Sequence, residues 1–364
     1  MKKVTILVLV LALILTVIAC GKAETQQPAA QNAPAEKDAQ STNVQPAQPA
    51  QAAAPEPAKK GDTYVLSLGG TTGNFYLEGA ALADYVNANY SDVMQLLPST
   101  SAGGVENVRN VYNGDAAFGP AFPRDVVMAY NGSAYGTKMD SLRMVGIAQK
   151  PNACAIVVLK DSGINTVYDL AGKTVAPGAP GSSAYDMFME FAKHIGIADS
   201  LKVVNYGNEE LPGKVTDGSV DAFCVMTMAE TAAGRISQVS ALKDIRILDV
   251  TDVLKETGFL EAFPWYSSTI LPGGQYAGQD EPVNCFSAYP VWITNAAVPE
   301  EIVYQFLNIG YSDGCIEYLN GIIKGHGHDV PNQLETAFPI PLHAGAEKYW
   351  KEHGYTTFPE PAVK

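Results

Sequence analysis

The stretch TYVLSLGGTTGNFYLEGAALADY, residues 63–85, decides the fold. Its run 64–68 is short, apolar and rich in β-forming residues, which predicts a buried strand. The glycine-rich segment 69–74 follows, and apolar residues then recur at helical spacing over residues 76–90, which predicts a helix. The order strand, glycine-rich turn, helix is typical of an α/β sheet, in which such a turn lies at the carboxyl end of its strand.

The same order recurs in the second half of the chain. The predicted strand 173–176 leads into the turn PGAPGSS (177–183) and then into a helix that stops at Gly196. Short apolar runs predict the intervening strands, namely 94–98, 116–119, 143–147, 155–159, 203–206, 222–226 and 286–294. We therefore expect two α/β lobes with parallel or mixed sheets. Lobe 1 would comprise residues 61–152 and 286–364, and lobe 2 residues 153–285.

The N-terminal segment indicates export and a lipid anchor. Lys2 and Lys3 precede an apolar run that is too short for a comfortable membrane span and ends at Val17-Ile18-Ala19-Cys20. Residues 1–19 are predicted to be a signal peptide, and Cys20 resembles the lipidated cysteine of a bacterial lipobox; the alternative is an ordinary signal peptide with a chance cysteine. Residues 20–60 lack aromatic side chains and are rich in Ala, Pro and Gln, which predicts a disordered tether to the membrane.

The charge of the chain argues against two classes of partner. The net charge is −14 at pH 7, and it resides in the folded part because the tether is neutral. Such an acidic surface argues against binding nucleic acid or adhering to anionic lipid. We expect a monomer without a cofactor.

Cysteines and histidines give no strong metal signal. Besides Cys20 there are Cys154, Cys224, Cys285 and Cys315, whose spacing resembles no zinc site. We expect buried free thiols, with a disulfide between Cys154 and Cys285 as the alternative. The segment His326-Gly327-His328-Asp329 could ligate a metal, but its glycine and the nearby proline favour a surface loop.

The two glycine-rich turns are the candidate binding elements. A helix N-terminus offers unpaired backbone N–H groups and a partial positive charge, and glycine lets a ligand approach the backbone closely. The segment 70–73 and Gly181-Ser182-Ser183 fit this role, with hydroxyls as further donors. Facing each other across a cleft they would hold an anion; the alternative is two ordinary turns whose hydroxyls cap helices.

Six segments resemble the TAXI family of TRAP-transporter solute receptors. They follow in order LGGTTGNFY (68–76), GVEN (104–107), APGS (179–182), DGSVDAF (217–223), FPWY (263–266) with LPGGQY (271–276), and IPLHAGAE (340–347). The resemblance implies a two-lobe periplasmic-binding-protein-like fold of type II with its ligand cleft between the lobes. It also implies a membrane permease driven by an ion gradient, and an acidic amino acid or dicarboxylate as ligand. The ligand-binding residues that it implies are Gly70, Thr71, Thr72, Gly73, Asn74, Phe75, Tyr76, Gly181, Ser182, Ser183, Tyr266 and Gln275.

Two departures from the family pattern point to one further residue. Gly104 stands where the family commonly has a serine, and Phe122-Pro123-Arg124 replaces a Gln-Ser-Asp stretch. We hypothesise that Arg124 enters the cleft and binds a ligand carboxylate in place of the lost polar contacts. The alternative is a solvated arginine beside Asp125.

Three functions remain open on the sequence. The first is a lipid-anchored extracytoplasmic receptor that delivers a small anionic solute to the permease of a TRAP transporter. The second is a substrate-binding lipoprotein of an ABC importer, which shares fold and anchor. The third is a secreted hydrolase, for which the chain lacks a recognisable pair of nucleophile and base.

Overall fold

A computed structural model describes residues 61–71, 73–133, 135–206, 210–323, 338–358 and 360–363. All of these belong to one compact unit, Pro57–Lys364. The N-terminal segment with Cys20, and the segment 326–329, lie outside the described residues. None of the helices within the described ranges is both long and apolar enough to cross a membrane.

The strands of the described residues form two sheets. They are β1 Thr63–Gly69, β2 Gln95–Thr100, β3 Phe118–Ala121, β4 Leu142–Ile147, β5 Asn152–Leu159, β6 Thr174–Ala176, β7 Lys202–Val203, β8 Ala222–Thr227, β9 Ile245–Ile247, β10 Ser267–Leu271, β11 Val283–Ala288 and β12 Val291–Asn295.

Helices cover the faces of both sheets. They are α1 Asn74–Asn89, α2 Gly104–Asn113, α3 Pro123–Asn131, α4 Ser183–His194, α5 Leu211–Thr216, α6 Gly234–Ser240, α7 Thr251–Thr257, α8 Phe259–Ala262, α9 Glu300–Gly310, α10 Asp313–Ile322 and α11 Ala344–Glu352, with 3-10 turns at Val167–Leu170 and Ala198–Ser200.

The first sheet has the strand order β2-β1-β3-β12-β4. Strand β1 runs parallel to β2 and β3, whereas β12 runs antiparallel to β3 and β4. The core of this sheet contains Leu66, Phe118 and Trp350, which are buried. The local pattern that predicted β1 and α1 is confirmed, because the helix begins directly after the glycine-rich turn.

The second sheet has the order β10-β11-β5-β8-β6-β7, and β9 pairs with β5. Strands β6, β7 and β8 are parallel, and the pairs β5–β8 and β10–β11 are antiparallel. Apolar clusters cover this sheet, with Phe188 in one and Phe223 in another. The predicted α/β fold with two lobes and mixed sheets is confirmed. Of the predicted strand 203–206, only Val203 lies in a strand, as the second residue of β7.

The chain passes between the sheets twice. It leaves the first sheet at the end of β4, Ile147, and enters the second at Asn152. It returns between Ala288 and Val291, so the single strand predicted over 286–294 is wrong and is replaced by β11 and β12. Pro290 explains the break, because proline has no N–H to donate to a neighbouring strand. The Pro290 carbonyl accepts a hydrogen bond from the Ala148 N–H of the first crossing at 2.7 Å. The two crossings therefore touch.

The four described cysteines are free and buried, as expected. Cys154, Cys224 and Cys285 lie on β5, β8 and β11 of the second sheet. Cys315 lies on α10. Burial raises the pKa of the Cys285 and Cys315 thiols, so they are protonated at neutral pH.

Candidate functional site

A cavity of about 200 Å³ lies at the end of β1. Gly69, with φ +140°, turns the chain out of the strand, and the Gly73 N–H donates to the Gly70 carbonyl at 2.8 Å to close the turn. Helix α1 begins immediately afterwards. The described residues around the cavity are Leu68, Gly69, Gly70, Gly73, Asn74, Phe75, Gly103, Phe122, Gln149, Asn152 and Met226.

The N-terminus of α1 forms one wall of this cavity. Its N-cap, Gly73, provides no capping side chain, and the first turn of the helix contains no acidic residue. The N–H groups of Tyr76 and Leu77 donate to the Gly73 carbonyl. The first N–H groups of a helix lack intrahelical acceptors and carry partial positive charge, so this wall favours an anion.

Two buried amides lie at the first crossing between the sheets. Gln149 and Asn152 are each only 3% exposed. The Asn152 Nδ2 donates to the Lys150 carbonyl at 3.0 Å and lies 3.4 Å from the Gln149 Oε1. The Gln149 Nε2 is buried and has no hydrogen-bond partner among the described residues. Since buried polar atoms in native proteins are nearly always hydrogen-bonded, this donor is available to a bound molecule.

An apolar wall completes the cavity and joins the two lobes. The rings of Phe75 and Phe122 contact each other with centroids 5.5 Å apart. Phe75 lies in the first turn of α1 and Phe122 directly follows β3 of the first sheet, yet both pack against an apolar cluster of the second sheet. Met226 contributes from β8 of the second sheet. The cavity is therefore lined by residues beside both sheets.

The second glycine-rich turn does not line the cavity. The Ser182 hydroxyl caps α4 by accepting from the Tyr185 N–H at 3.3 Å. The Ser183 hydroxyl donates to the Asp125 Oδ2 at 2.6 Å. Asp186 also stands in the first turn of α4, where its negative charge disfavours a bound anion. The two turns thus differ, and only the turn at α1 opens onto the cavity.

Gly104 lies where the two lobes meet. A Cβ atom at this position would lie 3.1 Å from the Ser183 Oγ and 3.2 Å from the Asp125 Oδ2. Both distances are tighter than ordinary van der Waals contact, so the absence of a side chain allows the N-terminus of α4 to approach α2. The departure from the family pattern at this position therefore has a packing reason.

Arg124 is surrounded by carboxylates of the chain itself. One guanidinium nitrogen lies 3.3 Å from the Asp186 Oδ2 and 3.5 Å from the Asp125 Oδ1, and its Nε lies 3.3 Å from the Glu190 Oε2. Its side chain is 16% exposed. Arg124 does not line the cavity. We call Arg124, Asp125, Ser183, Asp186 and Glu190, together with Tyr266, the interlobe cluster.

Sequence reasoning placed Asp125 beside Arg124 but missed its partners Asp186 and Glu190. Asp186 and Glu190 are four residues apart on α4 and therefore share a helix face, which is the signal that could have identified them. The Tyr266 hydroxyl donates to the Glu190 Oε2 at 2.7 Å, and its ring stacks on Phe259. Tyr266, predicted to bind ligand, is thus placed in the interlobe cluster.

The electrostatics of the interlobe cluster follow from its burial. Burial raises the pKa of Asp125 to about 6, although the hydrogen bond from Ser183 and the charge of Arg124 oppose this. For Arg124, burial lowers the pKa, but the charges of Glu190 and Asp125 outweigh it, and the pKa lies above its usual value. Burial and the Glu190 charge raise the pKa of Tyr266 well above its usual value.

The remaining predicted site residues lie in several places. The Gln275 amide donates to the Ala229 carbonyl, and its Oε1 is buried without a partner among the described residues. Thr71 is exposed, and Tyr76 packs against the core of the first lobe. Thr72 lies outside the described residues. The structure thus brings Gly70, Gly73, Asn74 and Phe75 together at the cavity.

A second, larger cavity of about 500 Å³ lies at the other end of β1. Thr63 and Tyr64, at the start of the strand, and Pro299 are among its lining residues. Its described lining lies at the start of β1 and at or just after the ends of α2 and β12, and none of the buried, unpartnered side-chain atoms of the described residues belongs to it. The smaller cavity is therefore the better candidate for a ligand site.

No group of three or more His, Cys, Asp or Glu side chains within the described ranges could hold a metal ion. The potential ligands His326, His328 and Asp329 lie outside those ranges. The cavity lining offers backbone, amide and apolar groups. Its chemistry suits the binding of a small organic molecule.

Solved structures similar to this chain share low sequence identity with it. The periplasmic aliphatic sulphonate binding protein SsuA from Escherichia coli is 15% identical, with coverage of 80% of this chain and 83% of that chain and a TM-score of 0.44. A TctC solute binding protein from Polaromonas is 13% identical, with coverage of 73% and 89% and a TM-score of 0.45. A putative L-cystine ABC transporter protein from Listeria monocytogenes is 12% identical, with coverage of 74% and 98% and a TM-score of 0.45.

A family model covers most of the folded part. It is described as the NMT1-like family and matches residues 66–354, which include the cavity, the interlobe cluster and all of both sheets except the first three residues of β1. The chain belongs to the NMT1-like family.

Proposed function

We propose that this protein is an extracytoplasmic receptor that binds a small anionic solute in the cavity at the N-terminus of α1 and delivers it to a membrane permease. One observation carries the proposal: residues beside both sheets line the cavity, and one of them, Gln149, has a buried amide donor, the Nε2, without a partner among the described residues. Such a site can bind a solute and release it when the lobes separate.

The lobe boundaries of the proposed receptor follow the two crossings. We propose lobe 1 as residues 61–152 with 286–364 and lobe 2 as residues 153–285. The division of the strands between the two sheets supports a boundary near each crossing. Asn152 and residues 286–288 are exceptions, because they belong to β5 and β11 of the second sheet, which ends at Ala288 before the chain returns at Val291. Closure of the lobes would bring Phe75 and Phe122 against the second lobe, as in this structure.

The transporter class in this proposal is the TRAP type, driven by an ion gradient, and the receptor is anchored by lipid on Cys20. The six sequence segments that resemble TAXI receptors support the class. Two or three acyl chains would hold the protein firmly, and the tether 20–60 would let it reach a permease laterally. An ABC importer is the second candidate, since the same lobes and anchor serve both.

The solute-receptor proposal is tested by ligand binding to the full chain. A thermal-shift screen of carboxylates, amino acids and sugars should give a solute that raises the melting temperature, because a ligand that binds only the folded state stabilises it. Small-angle scattering with and without that solute should show a more compact form when it is bound. A screen without any stabilising solute would contradict the proposal.

The transporter class needs a separate experiment. Uptake of the labelled solute is measured in cells that express the receptor and are depleted of ATP, with and without an imposed sodium gradient. Uptake that follows the gradient supports the TRAP type. Uptake that requires ATP, whatever the gradient, would assign the receptor to an ABC importer.

A further inference from the structure

The residues that line the cavity restrict which anions it can bind. None of its described residues is charged: the lining consists of glycines, four apolar side chains and the amides of Asn74, Gln149 and Asn152. A charged group buried without a countercharge loses its hydration and gains little in return. The number of charges on the solute is therefore restricted by the number of sites that can stabilise them.

One negative charge has such a site. The N-terminus of α1 offers backbone N–H groups and partial positive charge, without a competing acidic residue in its first turn. A second carboxylate would need a cation, and the nearby Arg124 already lies against Asp125, Asp186 and Glu190. An ammonium group would need a carboxylate, which the described lining also lacks.

The second polar contact of the solute would be with an uncharged group, the side-chain amide of Gln149. The Gln149 side chain is 3% exposed, and its Nε2 has no partner among the described residues. The Gln149 Oε1 lies within 3.4 Å of the Asn152 Nδ2, which orients the amide. A neutral oxygen of the solute, such as an amide, ketone or hydroxyl oxygen, would satisfy the Nε2 without adding a charge.

We infer that the cavity selects a small monocarboxylate whose other end carries an uncharged hydrogen-bond acceptor, and that Gln149 is the residue that recognises this acceptor. The inference rests on the proposed function and narrows its ligand class. The apolar side chains Leu68, Phe75, Phe122 and Met226 would contact the carbon chain between the two polar ends. The cavity of about 200 Å³ fits a small metabolite and not a drug-sized molecule.

Three probes of one shape test this selection by calorimetry on the full chain at pH 7. Glutarate carries two carboxylates, 4-carbamoylbutanoate replaces one of them by an amide, and pentanoate replaces it by a methyl group. We expect 4-carbamoylbutanoate to bind at least about tenfold more tightly than either of the others, because only it satisfies Gln149 without an unpaired charge. Glutarate binding as tightly or more tightly would overturn the inference while leaving the receptor proposal intact.

A substitution tests whether Gln149 causes the preference for 4-carbamoylbutanoate over pentanoate. In Gln149→Leu, the affinities for 4-carbamoylbutanoate and pentanoate should become equal within about twofold, because the donor is gone. The matched control is Gln305→Leu on α9, where the amide is exposed and contacts Glu301; it should keep the wild-type ratio. A ratio that survives in Gln149→Leu would overturn the role of Gln149.

The remaining outcomes separate the inference from the proposed function. If none of the three probes binds but another solute stabilises the protein, the receptor proposal stands and the inferred ligand class is overturned. If no solute of the wider screen binds, the receptor proposal itself fails. The comparison of the three probes uses only the wild-type protein, so it decides the ligand class even if Gln149→Leu does not fold.

Discussion

The Ser183 hydroxyl of α4 donates to the Asp125 carboxylate of α3 at 2.6 Å, and both side chains are buried where the two lobes meet. The two residues are 58 positions apart and belong to helices that flank different sheets. Asp125 also lies 3.5 Å from Arg124, which reaches Asp186 and Glu190 on α4. These polar contacts therefore join α3 to α4 outside the cavity.

Removal of the Ser183 hydroxyl should weaken the contact between the lobes. Ser183→Ala leaves the buried Asp125 carboxylate without its short hydrogen bond, which we expect to cost about 1–3 kcal/mol of unfolding free energy. Urea unfolding measures this. The control Ser182→Ala removes a helix cap and should cost about 0.5–2 kcal/mol, but it should leave solute affinity nearly unchanged. Equal effects of both variants on solute affinity would contradict the account.

A side chain at position 104 should hinder the approach of α4. In Gly104→Ala the new Cβ would press on Ser183 and Asp125 at distances of 3.1 and 3.2 Å. We expect a loss of about 1–3 kcal/mol of unfolding free energy and weaker solute binding. Gly213→Ala is the control, because nothing lies within 4 Å of a Cβ there and alanine favours the helix α5. Wild-type behaviour of Gly104→Ala would show that the lobes do not need this close contact.

Arg124 either binds the solute or joins the lobes, and a double substitution separates the two roles. Arg124→Met leaves three carboxylates without their countercharge, so we expect it to lower stability by about 1–3 kcal/mol. Adding Glu190→Gln removes one of the repelling charges and should restore part of this loss. If Arg124 acts only between the lobes, solute affinity should recover together with stability. Recovered stability with affinity still lost would place Arg124 on the solute.

The stability should fall with pH over the range in which Asp125 titrates. Its pKa is raised from 3.8 to about 6. Because the folded protein keeps this proton at pH values where the unfolded chain has lost it, the contribution is fully present below about pH 4 and is lost as the pH rises through about 6. One such site changes the unfolding free energy by at most about 3 kcal/mol.

Asp125→Asn provides the comparison for this pH effect. The amide keeps the shape of the side chain and does not titrate, so the stability difference between wild type and variant should shift between about pH 4 and pH 7 in favour of the variant. The charged groups that face Asp125 are Arg124 and Asp186, and Arg124 remains charged throughout. Parallel pH curves for the two proteins would contradict the raised pKa.

The elements of this fold are predictable from sequence where their cause is local. The glycine-rich turn before α1 and the stop of α2 at Gly114, which takes a left-handed φ of +82°, are set by neighbouring residues. The break at Pro290 was visible in the sequence, yet the apolar run around it predicted a single strand. A proline within an apolar run is stronger evidence that a strand ends there than the run is that the strand continues.

The candidate site is less predictable, because it depends on contacts between distant segments. The turn at Gly70 and the turn at Gly181 look alike in sequence, but only the first opens onto the cavity. What distinguishes them is Asp186 in the first turn of α4 and the bond from Ser183 to Asp125. Gln149 lies in the crossing between the sheets, where no periodic pattern marks it.

A crystal structure of the full chain with a bound carboxylate would test the central claim most directly. We predict the carboxylate at the N-terminus of α1, beside Gly73 and Asn74, and a polar atom of the solute about 3 Å from the Gln149 Nε2. A solute bound against Arg124, or in the larger cavity beside Thr63, would contradict the account.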